Sequence, residues 1–239
     1  MKKLFPFSAF TGLLILLFSC SGSPPTIINT DWMVVYTKDF SRGGVYAELN
    51  FFAQLEDSDG IEDISEISIH RDDLGWSWNL NPDNWVSYSV EGESWLGSNG
   101  LTRGGSIPGG DYRLLIVDRS GQRNETVFKV SDPALEAASL TFPSLKVIDD
   151  SLLISTGGRE PVVLWFYNDK GVLITEKYSA PGRFRIDEII SSEEKQIARW
   201  VMIYFQDEIG GYGLKSGPFL LAPEEDRAAD SSDGKASQP

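Results

Sequence analysis

Cysteine is almost absent: the 239 residues contain one, Cys20. No disulfide can form within the chain, and beyond that position there is neither a cysteine zinc site nor a thiol nucleophile. Histidine is equally scarce. His70 stands alone, so a Ser-His-Asp triad would have to use it, and no Gly-x-Ser-x-Gly segment exists to hold the serine. Phosphate-cradling glycine loops are missing too, since Gly104-Gly105 and Gly109-Gly110 read as turns. Basic side chains number 21 against 35 acidic ones, a net charge of −14. A surface of that sign repels nucleic acid and anionic headgroups, which argues against both as general ligands. What is plentiful is strand-forming material. Hydrophobic residues make up 41% and aromatics 12%, with frequent Gly and Pro, a mixture that favours strands joined by turns.

The N-terminus carries Lys2 and Lys3, an apolar stretch ending in Gly12 to Phe18, and the small Ser19 before Cys20. A positive start, a short apolar segment and a small residue at the cut form a secretory signal over residues 1–19. The apolar run is shorter than the roughly 20 residues a spanning helix needs. Leu17-Phe18-Ser19-Cys20 resembles the bacterial lipobox, with Phe18 departing from the smaller residue usual there. That resemblance implies diacylglyceryl transfer to the Cys20 thiol and cleavage before it. Residues 20–25 then form a lipidated tether, flexible and then stiffened by Pro24-Pro25. Two or three acyl chains anchor a protein stably, at about 0.8 kcal/mol per buried CH₂. The implied location is the bacterial cell envelope, with the membrane as a partner through the lipid.

Along the mature chain, alternation marks the strands. Val45 to Leu55 is the clearest, with Val45, Ala47, Leu49, Phe51, Ala53 and Leu55 on one face. Ile64–Arg71, Trp32–Tyr36, Gly109–Asp118 and Thr126–Val130 follow the same logic, and Ser131-Asp-Pro133 breaks the series. Strand-like runs resume at 145–148, 152–156, 162–167, 172–177, 199–205 and 214–221, with Asn168-Asp-Lys-Gly171 as a hairpin turn. Residues 186–196 are acidic and read as a short helical segment. From 223 to 239 the apolar residues disappear, a composition that predicts disorder.

The two halves look like distant copies. Tyr112-Arg-Leu-Leu-Ile-Val-Asp118 and Trp200-Val-Met-Ile-Tyr-Phe-Gln-Asp207 each lead into Asp-x-x-Gly and a final strand. Pro108-Gly-Gly-Asp-Tyr112 and Pro181-Gly-Arg-Phe184 place a Pro-Gly turn before an aromatic residue. This pattern resembles bacterial immunoglobulin-like and fibronectin-type-III-like sandwich modules. The resemblance implies an all-β fold of two tandem immunoglobulin-like sandwiches, 26–131 and 140–222, joined by a linker at 132–139. Lacking the cysteine pair of antibody domains, each would be held by packing between its sheets.

Candidate sites are few. His70 alternates to the solvent side of its strand and reads as a surface residue. Asp57, Asp59 and Asp63 surround Gly60 with the ligand types calcium favours, yet the later EF-hand positions do not match. A turn between strands accounts for them without metal, which leaves no more than a calcium candidate. The most distinctive segment holds Trp76, Trp78, Trp85, Tyr88 and Trp95 among Asn, Asp, Ser and Gly. Indoles beside amides and hydroxyls suit stacking on sugar rings or peptides; the same residues equally plug a sandwich core. No cofactor and no catalysis are expected. The sequence reads as a lipid-anchored envelope protein acting as a binding or spacer module. Its partner is an envelope protein or, alternatively, a glycan held on the Trp-rich surface, and an anchored hydrolase comes last.

Overall fold

The computed structural model describes residues 22–131, 139–158 and 161–221. The leader, Cys20, the segment 132–138 and the tail from 223 lie outside the described residues. In chain order the elements are β1 (Thr26–Asp39), β2 (Gly44–Glu56), β3 (Ile64–Arg71), β4 (Trp76–Leu80), β5 (Val86–Val90), β6 (Glu93–Leu101), β7 (Gly110–Asp118) and β8 (Arg123–Val130). There follow β9 (Ser144–Ile148), β10 (Ser151–Ser155), β11 (Val162–Tyr167), β12 (Leu173–Ser179) and β13 (Gly182–Arg185). Two short helices, α1 (Ile186–Ile189) and α2 (Ser192–Ile197), precede β14 (Trp200–Asp207) and β15 (Tyr212–Leu220). The described chain is therefore all-β with several sheets, sandwich-like in kind.

Two compact units divide it. Among the described residues, one gathers 22–31, 51–98 and 111–129; the other gathers 32–50, 99–110, 130–131, 139–158 and 161–221. These units interleave along the sequence, where the sequence alone suggests one half after the other. The physical reason is a long-range pairing: β15 joins β1 in parallel, with Val34 opposite Tyr212 and Asp39 opposite Gly217.

In the first unit β4, β3, β7 and β8 form one sheet in that order. Ile67 and Ile69 of β3 lie opposite Ile116 and Leu114 of β7, all fully buried. Phe51 of β2 packs its ring 4.8 Å from Phe128 of β8, and Tyr112 stacks on Phe128 at 5.6 Å. The β5–β6 hairpin sets Tyr88 opposite Trp95 and Val86 opposite Gly97. Gly97 has no room for a side chain. A Cβ there would land on the Phe51 carbonyl and lie 2.6 Å from the Phe52 Cα. Gly97→Ala should therefore cost about 1–3 kcal/mol in urea unfolding, because backbone must move. A variant as stable as the parent would show that this approach is relaxed in solution.

In the second unit β12, β11, β14 and β15 run antiparallel, and β13, β10 and β9 form a separate sheet. The core draws Leu145, Leu152 and Ile154 from the small sheet and Leu164, Phe166 and Ile203 from the large one. Ile186 and Ile190 add to it from α1 and its C-cap. Ser191 caps α2 by accepting from the Glu194 N–H, while the Glu194 carboxylate accepts from the Ser191 N–H, so the acidic stretch is helical over six residues.

Alternation alone misses one feature of β2. Glu48 lies on the face opposite Leu49, yet it is 5% exposed and forms an ion pair with Lys215 of β15. Thr37 lies opposite Lys215 in the β1–β15 register; its hydroxyl is buried and has no hydrogen-bond partner. A polar patch thus sits inside the second unit.

Candidate functional site

The two Asp-x-x-Gly turns form as local chemistry dictates. Asp118 accepts hydrogen bonds from the Gln122 N–H and the Ser120 hydroxyl, both at 2.8 Å, and Gly121 takes φ +84°. In the second turn Asp207 accepts from the Gly210 N–H at 2.8 Å, but the positive φ of +68° falls on Gly211, one residue later than the repeat suggests.

Trp76 and Trp78 occupy the core face of their sheet. Trp78 is opposite Ile69 and Trp76 opposite Arg71, so both share a face with the buried Ile67 and Ile69. They meet edge to face at 6.3 Å, and Trp78 also stacks with the buried Tyr112. The Arg71 guanidinium lies 5.1 Å from the Tyr112 ring centre and binds Asp73 through Nε at 2.6 Å. Both tryptophans remain partly exposed, closing one end of a hydrophobic layer. Trp85 follows in the turn after β4, partly buried.

Tyr88 and Trp95 form a different group on another sheet. Their rings stack at 6.2 Å with only 2° between planes, and Phe52 meets Tyr88 at 5.1 Å. Every residue of β5 is exposed, as befits an edge strand. The sequence cluster therefore resolves into a core-lining pair and a stacked pair at a sheet edge.

His70 sits on β3 opposite Arg113, on the face away from Ile69, partly exposed. The carboxylates of Asp57, Asp59 and Asp63 do converge, with ligand atoms within 4.8 Å of one another. One Asp57 oxygen accepts the Asp59 N–H at 2.8 Å, the bond of an ordinary Asx turn. The other Asp57 carboxylate oxygen is buried and has no hydrogen-bond partner among the described residues, so the Asx turn accounts for only one of the two oxygens of that carboxylate.

A concave site emerges instead in the second unit, from residues no local motif singles out. On the outer face of β12, β11 and β14, Tyr178, Val163 and Tyr204 lie side by side across the strands. The next row is Glu176, Trp165 and Met202. Valine is shorter than its tyrosine neighbours, and a cleft of 760 Å³ opens there, bounded also by residues 205–209. Trp165 stacks on Tyr204 at 5.0 Å and 22°. Its indole N–H donates to Glu176 at 2.8 Å, and the Tyr204 hydroxyl meets the Met33 sulfur at 3.1 Å. The polar tips of both rings are thus engaged within the protein, and one face of each is covered by the other. Large aromatics alternate along β11 and β14, Trp165 with Tyr167 and Trp200 with Tyr204, a pattern that marks a shared face without saying that it lies outward.

Burial pushes the Tyr204 phenol up to about 12 from 10.0. An acid whose pKa rises on folding adds no penalty while both states stay protonated, below pH 10. Stability is then lost as pH climbs from 10 to about 12, because the unfolded chain ionises first. Tyr204→Phe should remove on the order of 2 kcal/mol of that alkaline loss, read as unfolding midpoints at pH 9 and pH 12. Equal losses in parent and variant would contradict the assignment. The sequence matches no protein-family model and no curated protein, so geometry and chemistry carry the functional reading.

Proposed function

We propose that this protein is a lipid-anchored component of a bacterial envelope that binds a ligand without converting it. The Leu17-Phe-Ser-Cys20 motif supports the anchor, and the paired Asp-x-x-Gly turns support reading the β units as immunoglobulin-like. The single observation that carries binding is the 760 Å³ cleft with Trp165 stacked on Tyr204, a concave aromatic site of the size small ligands occupy. Catalysis finds less support, because the one histidine lies on the outer face of a different sheet.

A second reading, glycan binding, draws on Tyr88 and Trp95. Tyr88, on the exposed edge strand β5, stacks its ring parallel to that of Trp95 on the neighbouring β6, and its outer face offers a flat surface for a sugar. The two readings separate in a titration that follows Trp fluorescence. A cleft ligand loses its effect in Trp165→Ala, whereas an edge-bound glycan loses it in Tyr88→Ala. Anchoring is tested apart from binding. Cells fed labelled palmitate should incorporate it into the parent protein and not into Cys20→Ser, which should leave the membrane fraction; equal labelling of both would exclude the cysteine as the lipid site.

A further inference from the structure

We infer that the cleft over Val163 takes an organic ammonium ion, of the quaternary or methylated kind. The inference rests on the binding reading above and names its ligand class. Three aromatic side chains of the outer face line the cleft, Tyr178, Tyr204 and Trp165, while Phe205 borders it through its backbone and packs its ring against the core. Ring faces attract cations through their quadrupole, most strongly for Trp and then Tyr. Trp165 and Tyr204 stack on each other and engage their N–H and O–H groups within the protein, so what each can offer a cation is the face turned away from its partner.

The charged lining points the same way. Glu176, Asp207 and Glu208 border the cleft, and no Lys, Arg or His stands among the described residues that do. Ionised carboxylates accept hydrogen bonds and cannot donate them. Gln206 is the one side-chain amide in the lining. Such a lining is rich in acceptors and negative charge and poor in donors. An anion would be repelled, and a neutral sugar would find few donors for its hydroxyl oxygens. A cation clothed in methyl groups asks for no donor. It gains from a ring face and from carboxylates, and the chain's charge of −14 raises its concentration near the surface.

The test titrates the full-length protein in detergent with choline, and in parallel with 3,3-dimethylbutan-1-ol, its neutral carbon isostere. Saturable Trp quenching by choline is expected, with the isostere weaker by on the order of tenfold. Glu176→Gln keeps an acceptor for the Trp165 N–H while removing charge, so it should weaken choline and flatten the salt dependence without moving the thermal midpoint. Trp165→Ala should abolish the response. Equal binding of choline and its isostere, or no saturation by choline, overturns the ammonium assignment. A glycan that saturates the parent and fails on Trp165→Ala, with choline inert, overturns it too while leaving the cleft a binding site. Silence towards every ligand removes both.

Discussion

Glu48→Ala should lower stability by about 3–5 kcal/mol, the largest effect expected of any single change to a polar side chain here. The Glu48 and Lys215 side chains are 7% and 19% exposed and pair with each other between β2 and β15. Removing one partner strands the other charge in a poorly solvated place, and that penalty exceeds the value of the pair itself. Replacing both by methionine should recover most of the loss, since an apolar pair of similar volume avoids desolvating two ions. Urea unfolding of the two single variants and the double variant forms the cycle. A Glu48→Ala variant within about 0.5 kcal/mol of the parent would mean the pair is solvated like a surface bridge.

Phe166→Ala should cost about 3–5 kcal/mol, while its neighbour Trp165→Ala costs far less and abolishes ligand binding. The difference is one of faces. Phe166 is 0% exposed in the core between the two sheets of its unit, so its loss leaves a cavity there. Trp165 points the other way and is partly exposed against Tyr204. Adjacent strand residues face opposite sides, so one step along β11 exchanges a structural role for a functional one. Comparable stability losses in the two variants would mean that the outer face also carries folding energy.

Much of the fold is legible in the sequence because its strands are half-buried. Val45 to Leu55 declares itself by alternation, and the structure buries Ala47, Leu49, Phe51, Ala53 and Leu55 as that pattern requires. Asn168 likewise accepts from the Lys170 and Val172 N–H groups at 2.9 Å, closing the hairpin its composition suggests. Strands β4 to β6 are harder to read. Their Asn, Ser and Gly residues resemble loop chemistry, and β5 is exposed on both faces, so no periodic burial marks it. The pairing of β1 with β15 leaves no local trace at all, because register between distant segments is set by tertiary packing.

The same limit governs the site. Density of tryptophan draws attention to residues 76–95, but the face each indole takes depends on its cross-strand partner, and Ile69 places Trp78 with the core. In β11, Val162-Val-Leu-Trp-Phe-Tyr167 is apolar or aromatic at every position, so its sequence does not reveal which face lies outward. Only the partners Tyr178 and Tyr204, brought from β12 and β14, make a cleft of Val163 and Trp165.

The most direct measurement is the indole N–H spectrum of the seven tryptophans, assigned by single substitution, during a choline titration. The Trp165 signal, hydrogen-bonded to Glu176, should move to saturation while those of Trp76 and Trp78 stay fixed. Movement of Trp76 and Trp78 with Trp165 unmoved would place ligand binding in the first unit and contradict the cleft as the seat of function.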